Sequence, residues 1–254
     1  MNKIPLFIHY WTRNVVDLRR LILCIPLYAG YLSDLLGYSR MKEAEKLNLL
    51  DTMPCIFDKT QTTSFDRHYF YQDNWAFSLI KKSGVEHHVD VGSNIFFVSL
   101  LSWVTKVTFI DLRPLDAKLE NLESKKGSIL KMPFPDGSLQ SVSCLHVAEH
   151  IGLGRYGDPL DPQGTRKAAK ELARVLAPGG WLYFSLPVGK PRLCFNAHRI
   201  HSSGQIISYF PGLELVGFSA VDDSGEFHRK ISLEELENAE YACGMFCFRK
   251  PPKG

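Results

Sequence analysis

Val89-Asp90-Val91-Gly92-Ser93-Asn94 is the stretch on which the fold turns. A β-branched run at 88–91 ends on an acidic residue and a glycine, and 97–104 then reads as a helix. That is the order strand, tight turn, helix. Glycine at 92 lets the chain turn sharply and lets a ligand approach the backbone. Amides at the start of the next helix favour electron-rich groups. A full G-x-G-x-x-G fingerprint would need glycine where Asn94 and Phe97 stand. By itself the stretch fits an ordinary strand-to-helix turn as well as a nucleotide loop.

A second strand at 106–110 ends at Asp111, 21 positions after Asp90. An acidic residue at that distance can accept both hydroxyls of a ribose. The two features together favour an adenosine-type ligand. Upstream, Asp66 can cap a helix that runs to residue 82 and stops at Gly84. Downstream the signals keep alternating: helix 115–124, strand-like 127–130, turn 133–138 and strand 141–145. Helix 165–176, closed by Pro178-Gly179-Gly180, precedes strand 181–186, helix 206–210 and strands 213–221 and 241–248. This alternation predicts an α/β fold with a parallel sheet covered on both faces. Right-handed crossovers put the strand ends on one rim, where ligands bind. The informative segments are therefore 90–94, 111–114, 146–161 and 187–199.

The composition agrees. With 254 residues, 45% hydrophobic and 22% charged, the chain suits one globular domain with a short extra segment. It excludes a disordered, collagenous, coiled-coil or multi-pass membrane protein. A net charge of +3 does not by itself indicate nucleic acid. No lysine-rich run or nucleic-acid motif appears. The six cysteines form no CxxC pair and sit mostly in apolar runs, so they read as reduced thiols in the core. A zinc pair at Cys243 and Cys247 is the alternative.

Residues 1–62 read as an N-terminal helical extension and 63–254 as the main domain. The extension lacks the pattern of a secretory signal, and the expected location is the cytoplasm. Its most apolar part, 21–32, holds Pro26 and Gly30 and is too short for a bilayer span. Flanked by Arg19 and Arg20, residues 15–36 can still lie on a membrane surface, although packing on the core is the simpler expectation.

Between residues 132 and 187 the chain reads "MPFPDGSLQSV", then "AEH", then "LARVLAPGGWLYFSLP". In this order, after "VDVGS" and the acidic end of strand two, 65–250 resembles class I S-adenosylmethionine-dependent methyltransferases. Four stretches resemble a group within it, domain of unknown function 268: "HYFYQDNWA" (68–76), "HVDVGS" (88–93), "LHVAEHIGLGRYGDPLDPQG" (145–164) and "FNAHRI" (195–200). The resemblance implies a Rossmann-like three-layer sandwich with a mostly parallel, seven-stranded sheet, and S-adenosylmethionine as cofactor.

It also implies roles. Asp90, Gly92, Ser93 and Asn94 fall where the methionine part is held, Asp111 and Leu112 where the ribose is held. Ser128 and Ile129 fall beside the adenine, with Ser128 in place of a frequent carboxylate. His146 falls near the sulfonium. Tyr71 can line the pocket from the upstream helix or pack there. The polar segment 146–161 reads as an acceptor-binding and catalytic loop. His146 or His150 would be the base for a hydroxyl acceptor, oriented by Glu149 or Asp158, with His198 facing them. Arg155, Tyr156, Asn196 and Arg199 would hold the acceptor, the two arginines suiting an anionic one. His150, Asp158, Asp161 and His198 lack a tight ligand spacing, so no metal is expected. The expected reaction is methyl transfer to a small molecule or glycan, as in polysaccharide biosynthesis. A non-catalytic binding module and a nicotinamide oxidoreductase are the alternatives.

Overall fold

The computed structural model describes residues 4–12 and 15–253. The chain divides into two compact units, Met1–Ser64 and Phe65–Gly254.

The first unit holds α1 (Ile4–Thr12) and α2 (Leu18–Ser39). Asp17 caps α2 by accepting from the amides of Arg19 and Arg20 at 3.0 and 3.3 Å. The helix does not stop at Pro26 or Gly30 but runs for 22 residues, none of them buried. At 1.5 Å per residue it is about 33 Å long, against a bilayer core of about 30 Å. The expectation from 21–32 is thereby corrected: α2 is long and apolar enough to cross a membrane.

The second unit opens with α3 (Arg67–Ser83), where Asp66 caps the start and Gly84, at φ 66°, closes the end. Then follow β1 (His87–Val91), α4 (Ile95–Leu101), β2 (Lys106–Asp111), β3 (Leu122–Lys126), β4 (Leu139–Leu145) and α5 (Gly164–Val175). The chain continues through β5 (Leu176–Val188), β6 (Arg192–Cys194), β7 (His198–Ile200) and α6 (Ser203–Ser208). It ends with β8 (Glu214–Val221), β9 (Phe227–His228) and β10 (Ala242–Arg249).

The main sheet has the order β3-β2-β1-β4-β5-β10-β8-β9. The first five strands are parallel and β10 is antiparallel to both its neighbours. The sheet has eight strands rather than the expected seven, because β9 adds two residues beside β8. β6 and β7 form a separate hairpin. The helix expected over 115–124 is absent. Leu122 pairs beside Val107 and is buried, and the Ser124 hydroxyl accepts from the Leu115 amide, tying the segment into a turn and strand. Tertiary pairing overrides local helix propensity here.

Alternate side chains of the strands feed two cores. Val89, Ile110, Leu182, Phe184, Phe246 and Phe248 pack on the side of α5 and α6. Phe109, Tyr183, Cys243, Met245 and Cys247 pack on the side of α3 and α4. The cysteines are free, and Cys144, Cys243 and Cys247 are buried. Cys243 and Cys247 lie four strand positions apart, about 13 Å, which rules out the zinc pair.

Buried polar groups also lie on the α3 side. His88 sits between the Ser141 and Ser143 hydroxyls at 2.7 and 2.8 Å. Burial holds its pKa down from 6.5 to about 3. The unfolded chain therefore takes up a proton that the fold refuses, and stability is lost as pH falls from 6.5 toward 3. His88→Gln is expected to flatten the acid limb of a urea-midpoint curve by up to roughly 5 kcal/mol. Parallel limbs for the two proteins would assign the acid sensitivity to other groups.

Candidate active site

The order β2-β1-β4-β5 reverses direction between β1 and β4, and a crevice opens at such a switch point beyond the strand ends. The candidate residues converge there. Asp90, at the end of β1, is wholly buried. Its carboxylate accepts from the Ser93 amide at 3.0 Å and from the Ser143 hydroxyl. Burial lifts its pKa to about 6, against those hydrogen bonds. Asp90 thus organises the turn from beneath. The Ser93 hydroxyl accepts from the Leu145 amide at 3.1 Å, and Asn94 caps α4. Gly92 sits at φ 67°. A Cβ there would come 3.2 Å from Val147 and 3.4 Å from Asp111 Oδ2, so glycine lets these two side chains close on the turn.

Asp111 closes β2 and is only partly covered. Its Oδ1 accepts from the Arg113 amide at 2.7 Å, and its Oδ2 faces the Gly92 turn. Leu112 is exposed beside it. Ser128 shapes a turn, its hydroxyl accepting from the Leu130 amide at 3.2 Å, and Ile129 is buried in the core below. A carboxylate over a glycine turn with a flanking apolar residue suits a ribose and an adenine, so these residues fit S-adenosylmethionine.

Beyond β4 the chain enters a strained turn. His146 has φ 54°, which side-chain-bearing residues rarely adopt and which functional sites often retain. Its Nδ1 lies 3.0 Å from Glu149 Oε1 and its Nε2 lies 3.3 Å from Cys243 Sγ. Glu149 is wholly buried, and neither oxygen has a partner in hydrogen-bond geometry. Burial pushes Glu149 up, but the facing imidazole outweighs it and holds the carboxyl low. Burial lowers His146, but Cys243 and Glu149 together hold it above its ordinary range. Glu149 thus favours the protonated form of His146, and an imidazole held that way is a weaker proton acceptor than a free one.

His150 differs. Its Nδ1 lies 2.5 Å from the Ala197 carbonyl, and burial keeps its pKa below the ordinary value. Burial does the same for His198, whose ring lies 6.5 Å from His150. Arg113 and Arg155 both stack on the Tyr156 ring, 4.6 and 5.1 Å from its centroid.

Other residues named from the sequence serve the scaffold. Asp158 accepts from the Gly152 and Tyr156 amides at 2.5 and 3.4 Å, and Asp161 accepts from Lys167. Both carboxylates are engaged by donors of the loop and of α5. Arg199 donates to the carbonyls of Ile151 and Asp161 at 2.6 and 2.9 Å, and Asn196 donates to that of Leu153. These groups satisfy loop backbone. Tyr71 stacks on Phe227 at 5.1 Å instead of lining the crevice.

The phase of α3 instead turns His68, Tyr69, Gln72 and Asp73 toward the site. The Tyr69 ring lies 5.4 Å from His146, and His68 stacks on Tyr241 at 5.2 Å. Burial lowers His68 to about 4, lifts Asp73 to about 7 and pushes Tyr69 up to about 12. Gln72 accepts from the Ser185 hydroxyl at 2.5 Å. The sequence signal for this face was the spacing i, i+4 of residues 68 and 72 and of 69 and 73.

Solved structures share this architecture. The N-methyltransferase NodS from Bradyrhizobium japonicum WM9, in complex with S-adenosyl-l-homocysteine, is 16% identical; the match covers 86% of this chain and 97% of that one, TM-score 0.53. A putative sarcosine dimethylglycine methyltransferase from Galdieria sulphuraria is 18% identical, covering 73% and 87%, TM-score 0.53. The [4+2]-cyclase SpnF is 14% identical, covering 71% and 81%, TM-score 0.51. Such likeness shows the fold and leaves the reaction to the site. No curated protein matches the chain by sequence. The sequence model of the family described as "Caenorhabditis protein of unknown function, DUF268" matches residues 118–244, half of the chain. On this match the chain belongs to the DUF268 family, carried on the Rossmann-like fold of class I methyltransferases.

Proposed function

We propose that the chain is an S-adenosylmethionine-dependent methyltransferase acting on a neutral hydroxyl-bearing small molecule or glycan. The observation that supports this is the Asp111 carboxylate facing the Gly92 turn at the switch point, together with the imidazole and phenol pairs His146–Tyr69 and His198–Tyr241. The cofactor, when bound, supplies a methyl group already activated on a sulfonium. Asp111 accepts the ribose hydroxyls. Gly92 leaves room for the methionine part. His150, uncharged at neutral pH, takes the acceptor's proton. Tyr69, Tyr156 and Tyr241 offer flat faces and hydroxyls to a sugar-like acceptor. With Arg199 engaged by carbonyls, an anionic acceptor is disfavoured. Alignment of donor and acceptor contributes most, up to roughly 7–11 kcal/mol of barrier.

Calorimetric titration of the full chain with S-adenosylmethionine tests the cofactor assignment, and saturable binding is expected. Labelled-methyl transfer to a panel of neutral glycans then tests the acceptor class. No heat at millimolar ligand would leave a non-catalytic binding module as the reading.

The length and all-round exposure of α2 support attachment of the protein to a membrane through that helix. The full chain is expected to sediment with membranes and to resist alkaline carbonate extraction. Release by carbonate would make α2 a surface helix, and a chain that never sediments would refute attachment.

A further inference from the structure

We infer that His68, His146 and Cys243 form a zinc site in the crevice, with the fourth coordination position open to solvent or to the acceptor. One ligand atom from each of the three lies within 4.8 Å of the other two. They come from α3, from the turn after β4 and from β10, so the fold, not a local motif, assembles them. Two imidazoles and a thiolate are a donor set that zinc shares with copper and that the hard ions magnesium and calcium avoid. Three protein ligands with one open position describe catalytic rather than structural zinc.

The surroundings of His146 point the same way. Metal-bound histidines usually donate the other ring N–H to a carboxylate, which fixes the ring and raises its basicity. Here Nδ1 faces Glu149 at 3.0 Å while Nε2 faces Cys243 Sγ at 3.3 Å. Zinc–nitrogen and zinc–sulfur bonds of about 2.1 and 2.3 Å at a tetrahedral angle would separate those two atoms by about 3.6 Å. That pair needs a shift of only a few tenths of an ångström, and the His68 atom, within 4.8 Å of both, would close in by up to about 1.3 Å. Glu149 is wholly buried with the His146 imidazole 3.0 Å away, and a cation on the far side of His146 would add to what holds its charge. His68 is braced from its other side by the stacked Tyr241 ring, whose backbone amide donates to Asp223 at 2.7 Å. An acceptor hydroxyl or thiol bound at the open position would lose its proton more readily, as zinc-bound water does. That last role rests on the proposed methyl transfer, whereas the metal site does not.

Cobalt(II) titration of the chelator-treated full chain tests the site. One equivalent is expected to produce visible d–d bands of tetrahedral intensity together with a thiolate-to-cobalt charge-transfer band, and zinc is expected to displace both. Cys243→Ser is expected to abolish the charge-transfer band, while Cys247→Ser on the same strand keeps it. His68→Ala, at a partly exposed position that tolerates truncation, and Glu149→Gln are each expected to weaken binding about 10–100-fold. Absence of a charge-transfer band in a folded chain would overturn the site, as would a band that survives Cys243→Ser. S-adenosylmethionine titration of the same samples separates the two ideas. Metal binding without cofactor binding would sink the methyltransferase reading alone, and the reverse would sink the zinc site alone.

Discussion

Asp111→Ala is expected to weaken S-adenosylmethionine binding about 10²–10⁴-fold. The reasoning is local. A carboxylate that accepts two ribose hydroxyls makes charge-assisted hydrogen bonds worth about 1.5–3 kcal/mol each. Alanine removes both and leaves the cofactor's hydroxyls facing an apolar stub. The fold should hardly notice, because within the protein Asp111 accepts chiefly from the exposed Arg113 amide, which water can satisfy. A stability loss of no more than about 1 kcal/mol is expected. Asp111→Asn keeps one acceptor oxygen and loses the charge, so it should fall between, about tenfold weaker than wild type. Titration calorimetry of the three proteins, with urea unfolding beside it, reads both quantities. Equal affinities would place the ribose elsewhere. A loss of affinity that tracks a loss of folded protein would make Asp111 a structural residue.

The readable part of this chain was the part written in local order. Asp90, Gly92 and Asp111 carry the strand–turn–helix rhythm and its spacing, and the sheet they predict is the one that forms. Asp66 and Gly84 mark the ends of α3 because caps are local chemistry. The misread helix at 115–124 shows the limit of such reasoning. Its residues favour a helix, but Leu122 is drawn to the sheet edge beside Val107. The polar loop after β4 shows a second limit. Asp158 and Arg199 are chemically fit to meet a ligand, yet both turn inward to satisfy amides and carbonyls of the loop. No residue type announces that choice. His68 and Cys243 show a third. Each is unremarkable in its own segment, and they meet His146 only because β10 inserts next to β5 while α3 packs over that face.

His146→Ala is expected to destabilise the protein by about 3–5 kcal/mol, measured by urea unfolding in the presence of chelator. The loss comes less from the missing ring than from what it abandons. Glu149 would remain buried and charged with its nearest cation gone, and breaking one side of a buried pair has that magnitude. Glu149→Gln should cost less, about 1–3 kcal/mol, because the imidazole left behind can shed its proton at neutral pH. In the Glu149→Gln background, removing His146 should then cost far less than it does in wild type, giving a coupling of at least about 2 kcal/mol. Strictly additive losses would show that the two side chains ignore each other. Backbone strain gives a second handle on the same position. At φ 54° alanine keeps the unfavourable left-handed geometry, whereas glycine relieves it. His146→Gly should therefore be more stable than His146→Ala by about 1 kcal/mol, although it removes more of the side chain. The usual order, with glycine the less stable, would mean that the turn after β4 relaxes once the imidazole is gone. In that case the contacts of His146 with Glu149 and Cys243, and not the chain direction, hold the turn in its strained form.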